Sequence, residues 1–168
     1  AMSDMSFLGL SPETAEAIGA EKAAMVRTFR LLHHLGQQLH FLADHLYREG
    51  GMTSQQAMLV GIVQVLGEPS LTMAANVFGS SHQNVKQIAS ALVRKGFLEM
   101  RADEKDGRVR RLATTRKCAR YFASRDLGDF DVVATWFTAL SSEEVSTLLG
   151  LLLKLHGSVR DAAHGVRP

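Results

Sequence analysis

The stretch 82–94 holds the side chains best able to do chemistry in this sequence. His82, Gln83, Asn84, Lys86, Gln87, Ser90 and Arg94 fall on one side of a helix, while Val85, Ile88, Ala89, Leu92 and Val93 recur at the i, i+3, i+4, i+7, i+8 spacing of a buried face. The polar side is long, rich in hydrogen-bonding groups and lacks carboxylates. Gln and Asn amides match the donor and acceptor of adenine, Lys reaches guanine or phosphate, and the unpaired amides at a helix start attract phosphate. Such a face suits base edges in a duplex groove. The bland alternative is a solvated surface helix, because polar faces are commonplace.

The neighbouring residues supply a frame for that helix. Leu71-Thr72-Met73-Ala74-Ala75-Asn76-Val77-Phe78-Gly79 reads as a short helix, with Thr72 as its cap and Gly79 as the left-handed residue that ends it. Ser80 or Ser81 caps the polar-faced helix and Gly96 stops it. Residues 97–101 then read as a strand, 102–107 as a charged turn and 108–114 as the returning strand. The pattern is a winged helix-turn-helix. Charge follows it: residues 80–120 hold eleven Lys and Arg against four acids, net +7, while the rest of the chain is net −5. A basic block coinciding with a readout helix is the electrostatic footprint of a duplex-binding surface.

These residues resemble the MarR family of bacterial winged-helix regulators. The resemblance runs through Leu71-Thr72-Met73-Ala74-Ala75, Ser80-Ser81-His82-Gln83-Asn84-Val85, Leu92-Val93-Arg94-Lys95-Gly96-Phe97-Leu98 and Asp103-Glu104-Lys105-Asp106-Gly107-Arg108. It implies double-stranded DNA as partner, with Ser81, His82, Gln83, Asn84, Lys86 and Gln87 in the major groove. Arg94 and Lys95 would approach phosphate, and Lys105, Arg108 and Arg110 would form a basic wing. In the family the second acid of the Asp-x-x-Asp-x-Arg pattern, here Asp106, braces the arginine that enters the minor groove, here Arg108. Three positions depart from the family pattern: Gly107 stands in place of a second arginine, Thr114 in place of a leucine, and Cys118 in place of a glycine. Gly107 loosens the wing tip and removes one cation.

The flanks read as long helices. Ser11-Pro12 opens a short one that fades at Gly19. Residues 21–48 form a second, with Met25, Phe29, Leu32, Gly36, Leu39, Ala43 and Leu46 at heptad spacing, widened by Leu31, Leu35 and Leu42. Gly50-Gly51 ends it, and Thr53-Ser54-Gln55-Gln56 has capping-box spacing for the next, which breaks at Gly67-Glu68-Pro69. After the wing, Thr115 is expected to cap one helix running to about residue 139, kinked at Gly128. Ser141-Ser142-Glu143-Glu144 opens the last, whose stripe is Val145, Leu148, Leu149, Leu152, Leu155 and Val159. Terminal helices this rich in leucine outrun what a small wing domain can cover, so a homodimer is expected. The resemblance implies the same, with two readers on successive major grooves of a pseudo-palindromic site.

The expected architecture is mainly α and a single domain over residues 1–168. Residues 12–48 and 116–160 supply dimerisation helices, and 53–115 the winged helix-turn-helix with its two-stranded β wing. With 168 residues, 46% hydrophobic, core material is ample. No run of about 18 apolar residues could span a membrane and no basic-then-apolar leader opens the sequence, so a cytoplasmic location is expected.

Other chemistry is sparse. One cysteine, Cys118, excludes a disulfide framework; it is either a small buried hydrophobe or, beside Arg116, Lys117 and Arg120, a redox-responsive thiol. His33, His34, His40 and His45 crowd one helix, and His40 with Asp44 is its only i, i+4 ligand pair, which makes a zinc-responsive regulator an alternative. No nucleophile elbow, P-loop or HExxH motif is present, so no enzyme, catalytic residue, metal site or cofactor is expected. A winged-helix protein-interaction module without DNA is a further alternative. The resemblance implies a repressor released by a small organic ligand, often an aromatic anion, with His34, Gln38, Gln55 and Met58 as its lining.

Overall fold

The computed structural model describes residues 9–166. In chain order the elements are α1 (Pro12–Ile18), α2 (Ala20–Arg48), α3 (Ser54–Leu66), α4 (Leu71–Phe78), α5 (His82–Arg94), β1 (Leu98–Ala102), β2 (Arg110–Thr114), α6 (Arg116–Ala123), α7 (Asp126–Thr135) and α8 (Ser142–Val166). The chain divides into two compact units, Ala1–Ala119 and Arg120–Pro168.

In the first unit, local chemistry sets the helix ends. The Ser11 hydroxyl accepts the Thr14 N–H, with Pro12 opening α1. Thr53 and Gln56 form a reciprocal capping box at the start of α3. Ser70 caps α4 through the Met73 N–H, two residues earlier than the expected Thr72, because Leu71 is already helical and turned into the core. Gly79 takes the left-handed conformation that ends α4 (φ 75°, ψ 23°). Ser81, not Ser80, caps α5. At its far end Phe97 N–H reaches Leu92 O and Gly96 N–H reaches Val93 O, with Gly96 at φ +75°, a paired closure that a β-carbon would strain.

The core lies where α3, α4 and α5 meet the sheet. Leu59, Val60 and Val63 of α3, Ala74 of α4, Val85, Ala89 and Leu92 of α5, Leu98 of β1 and Leu112 of β2 are buried. Removing a leucine side chain from water stabilises by roughly 1.5–3 kcal/mol, so these few residues hold α5 to its support. β1 and β2 pair antiparallel from Leu98↔Thr114 to Ala102↔Arg110. β1 is shifted by one residue from the expected 97–101, because Phe97 closes α5, and β2 is shorter than expected, starting at Arg110, because residues 103–109 are taken up by the turn. The wing is docked on the α3–α4 connection: Leu112 N–H donates to Pro69 O at 2.9 Å, and Ser70 bridges to Arg111.

In the second unit, the expected helix to residue 139 is two helices. The chain breaks at Ser124-Arg125, where the Ser124 hydroxyl turns back onto Tyr121 O at 2.8 Å. Arg125 pairs with Asp129 at 3.1 Å and lies over the Tyr121 ring at 5.5 Å. Gly128 sits inside α7 without a break. Ser141 and Glu144 open α8 with reciprocal bonds of 2.7 and 3.3 Å. Among the described residues no helix is long and apolar enough to cross a membrane.

Candidate nucleic-acid interface

α5 commits Val85, Ile88, Ala89 and Leu92 to the core. The same rotation leaves Ser81, His82, Gln83, Lys86, Gln87 and Arg94 exposed on the opposite side, with no carboxylate among them. The helix start carries no acid, so its amide dipoles face outward uncompensated beyond the Ser81 cap. Asn84 stands differently from its neighbours. It is half-buried and its Nδ2 donates to the Ser80 hydroxyl at 2.9 Å, which ties it to the α4–α5 turn.

Lys95 is exposed, but its ammonium is engaged within the protein. Its ammonium donates to Gln56 Oε1 at 2.8 Å and to the Gly51 carbonyl. The Lys117 ammonium caps the Lys95 carbonyl at 2.7 Å and sits 4.7 Å from the centre of the Phe97 ring.

The wing is organised by Asp103. Its Oδ1 accepts the N–H groups of Lys105 and Asp106, and its Oδ2 takes the Arg111 Nε. The Arg111 guanidinium and these amides hold the Asp103 carboxyl below the usual carboxylate range. Sequence reasoning missed this clasp, although the acid and arginine at the two feet of a hairpin were its signal. Asp106 acts beside it through the backbone: Oδ1 accepts the Arg108 N–H at 3.0 Å, and Asp106 O accepts the Val109 N–H. Between Asp106 and Arg108, the pair expected to form a brace, the bond is a turn bond that shapes the loop. Lys105, Arg108 and Arg110 are exposed around it.

A cleft of about 440 Å³ opens at the wing root between the α3–α4 connection and β1–β2. Arg101 spans it, 3.0 Å from Glu68 and 2.8 Å from Glu99. Its cations and acids are matched, so it is no anion pocket. Glu68 is the single non-glycine among the described residues with positive φ (48°), and its carbonyl receives Arg111 Nη1 at 3.1 Å.

The remaining candidates scatter along α2, α3 and α6. His34 is half-buried, and Gln38, Gln55 and Met58 are exposed. His33 stacks on Phe29 at 6.5 Å, and His40 pairs with Asp44 at 3.6 Å. No group of three or more His, Cys, Asp or Glu side chains placed to hold a metal occurs among the described residues. Cys118 is fully buried, its N–H held by Thr115 Oγ1, and burial pushes its thiol pKa up. That is the environment of an inert packing cysteine.

No protein-family model matches the chain, and no curated protein matches it in sequence. Solved structures do. A MarR protein from Peptoclostridium difficile superposes at TM-score 0.76, 17% identity, over 83% of this chain and 92% of its own. A mutant MarR from E. coli complexed with operator DNA gives 0.72 at 20% identity over 79% and 95%. A MepR–DNA complex from S. aureus gives 0.69 at 19% over 77% and 96%. The chain has the winged-helix fold of these MarR-family regulators.

Proposed function

We propose that this chain, having the MarR-type fold, is a non-enzymatic, sequence-specific DNA-binding transcriptional regulator. The observation that carries the reading is the α5 surface: five long polar side chains, His82, Gln83, Lys86, Gln87 and Arg94, stand exposed together without an acid, beside a wing whose Lys105, Arg108 and Arg110 are also exposed. α5 reads the major groove, and the wing reaches the minor groove and its phosphates. The E. coli and S. aureus neighbours, solved with DNA, support the same use of the fold.

The functional form is a homodimer. Met25, Phe29 and Phe41 of α2, Leu127 and Phe130 of α7, and Leu149 and Leu153 of α8 are exposed in the single chain. Apolar surface of this amount requires a cover, and a two-fold partner would place two readers on a pseudo-palindromic operator. As a repressor the dimer would leave DNA when a small organic ligand, bound near His34, Gln38, Gln55 and Met58, favours a different reader spacing.

A salt-series titration with a duplex from its own promoter, against a scrambled duplex, tests the reading. Specific binding about a thousandfold tighter on the promoter, falling steeply with salt, is the expected result. Equal weak binding to every promoter fragment and to the scrambled duplex would refute it. The same assay run with a panel of aromatic carboxylates tests the release step.

A further inference from the structure

The first turn of α3 is held from two sides. On one, Asp44 of α2 accepts the Ser54 N–H at 2.6 Å through Oδ1, and His40 Nδ1 lies 2.8 Å from the Ser54 hydroxyl. On the other, the Lys95 ammonium, just past the end of α5, reaches Gln56 Oε1 at 2.8 Å and the Gly51 carbonyl at 2.5 Å. Among the described residues Gln56 is the one polar residue of the buried core, and its Oε1 also accepts the Thr53 N–H at 3.3 Å. Ser54 and Gln56 are two residues apart in one turn, so that turn joins α2 to α5 through charge-assisted bonds at both ends.

We propose that Lys95 and Gln56 are positioning residues for the reader helix, and that through Ser54 and Asp44 they couple it to α2. The inference rests on the DNA-binding reading above and concerns how that site is set. α2 carries most of the exposed apolar residues of its unit, so whatever covers α2 acts on one end of this chain of bonds. α5 acts as a lever at the other end. Lys95 fixes the helix at its C-terminus, and the base-reading first turn lies roughly 18 Å away at 1.5 Å per residue. A small tilt at the Gln56 contact therefore becomes a displacement at the groove. The same bonds engage a lysine of the basic block with acceptors inside the protein.

Four proteins test it: Lys95→Met, Lys95→Arg, Ser54→Pro and the double variant Lys95→Met with Ser54→Pro. Ser54 is the first residue of α3 and follows an extended Thr53 (φ −96°, ψ 161°), so proline is compatible with the helix start while removing the N–H given to Asp44. Operator affinity should fall by about tenfold in Lys95→Met and in Ser54→Pro, within the usual range of coupling between sites. Lys95→Arg should restore most of the loss. The double variant should be no weaker than the worse single one, and the salt slope of Lys95→Met should equal that of wild type. A slope lower by about one per half-site would make Lys95 a phosphate contact, and additive losses would break the coupling; either overturns the proposal. A readout without DNA separates it from the reading it rests on: amide chemical shifts along α5 should move in Ser54→Pro. If they move while wild type binds no duplex, the DNA reading fails and the coupling stands. If they do not move, the coupling fails.

Discussion

Asp106 and Arg108 are joined through the backbone and not through their charges: the carboxylate accepts the Arg108 N–H at 3.0 Å, and the guanidinium stands exposed in no ion pair among the described residues. The acid shapes the loop, and the arginine remains available to a phosphate or groove. Asp106→Asn keeps an oxygen acceptor at the same place and should leave the salt slope of DNA binding unchanged. Arg108→Ala should lower that slope by about one per half-site and weaken binding on all sequences alike. A collapse of affinity in Asp106→Asn would show that the charge of Asp106, and not its acceptor oxygen, sets Arg108.

Along α5 the exposed side chains should carry sequence preference. Lys86→Ala or Gln87→Ala should each cost roughly 1–3 kcal/mol on the best site and relax preference at one base pair, measured by competition with single-substituted duplexes. Asn84 is tied to Ser80, so Asn84→Ala should lower thermal stability as well as affinity. Unaltered base preference in the Lys86 and Gln87 variants would remove them from direct readout.

Asp103 makes the wing sensitive to acid. Its carboxyl is held below the usual range, first by Arg111 and then by the amides of Lys105 and Asp106. A depressed folded pKa means the stabilisation is complete above the ordinary carboxylate value of about 4 and is lost as pH falls through the lower folded value. Wild type should therefore melt above Asp103→Asn by a constant margin between pH 7 and about pH 5, and the margin should shrink below about pH 4. A margin that persists to pH 2 would show that the clasp does not depend on ionisation.

Self-association should depend on α8. Leu149 and Leu153 lie one turn apart and are exposed in the single chain. A two-fold interface counts each substitution twice, so Leu149→Glu should weaken the dimer on the order of a hundredfold or more, from roughly 1.5–3 kcal/mol per buried leucine. Sedimentation of wild type and variant at micromolar concentration reads this directly. Identical monomeric profiles would leave α8 as the cover for a different protein.

Cys118 should be silent to oxidants. With its thiol buried and its pKa raised, it should react with a thiol reagent only as fast as the fold opens, and Cys118→Ala should bind DNA equally before and after peroxide. Rapid labelling of the native protein would reinstate a redox role.

The parts legible in the sequence were those set by neighbours in the chain. The caps at Ser11, Thr53 with Gln56, and Ser141 with Glu144 each involve residues three apart, and the α5 stripe spans only a few turns. The parts that escaped depend either on distant partners or on a choice between equally competent local signals. Lys95 carries no mark that distinguishes it from Arg94, yet Gln56, 39 positions earlier, claims its ammonium. The break between α6 and α7 has no glycine or proline to announce it; Arg125 selects it by pairing with Asp129. Thr72 and Ser70 are both competent caps, and only the burial of Leu71 decides between them.

The docking of β2 on the α3–α4 connection, through Leu112 to Pro69 and Arg111 to Glu68, gives the hairpin the same footing as the helices beneath the reader. On the DNA reading, groove and wing contacts then form and break as one event. Footprints of the bound protein should appear and vanish over the whole half-site together, dissociation should follow a single exponential, and a half-released state that clings by its wing alone should have no lifetime to measure.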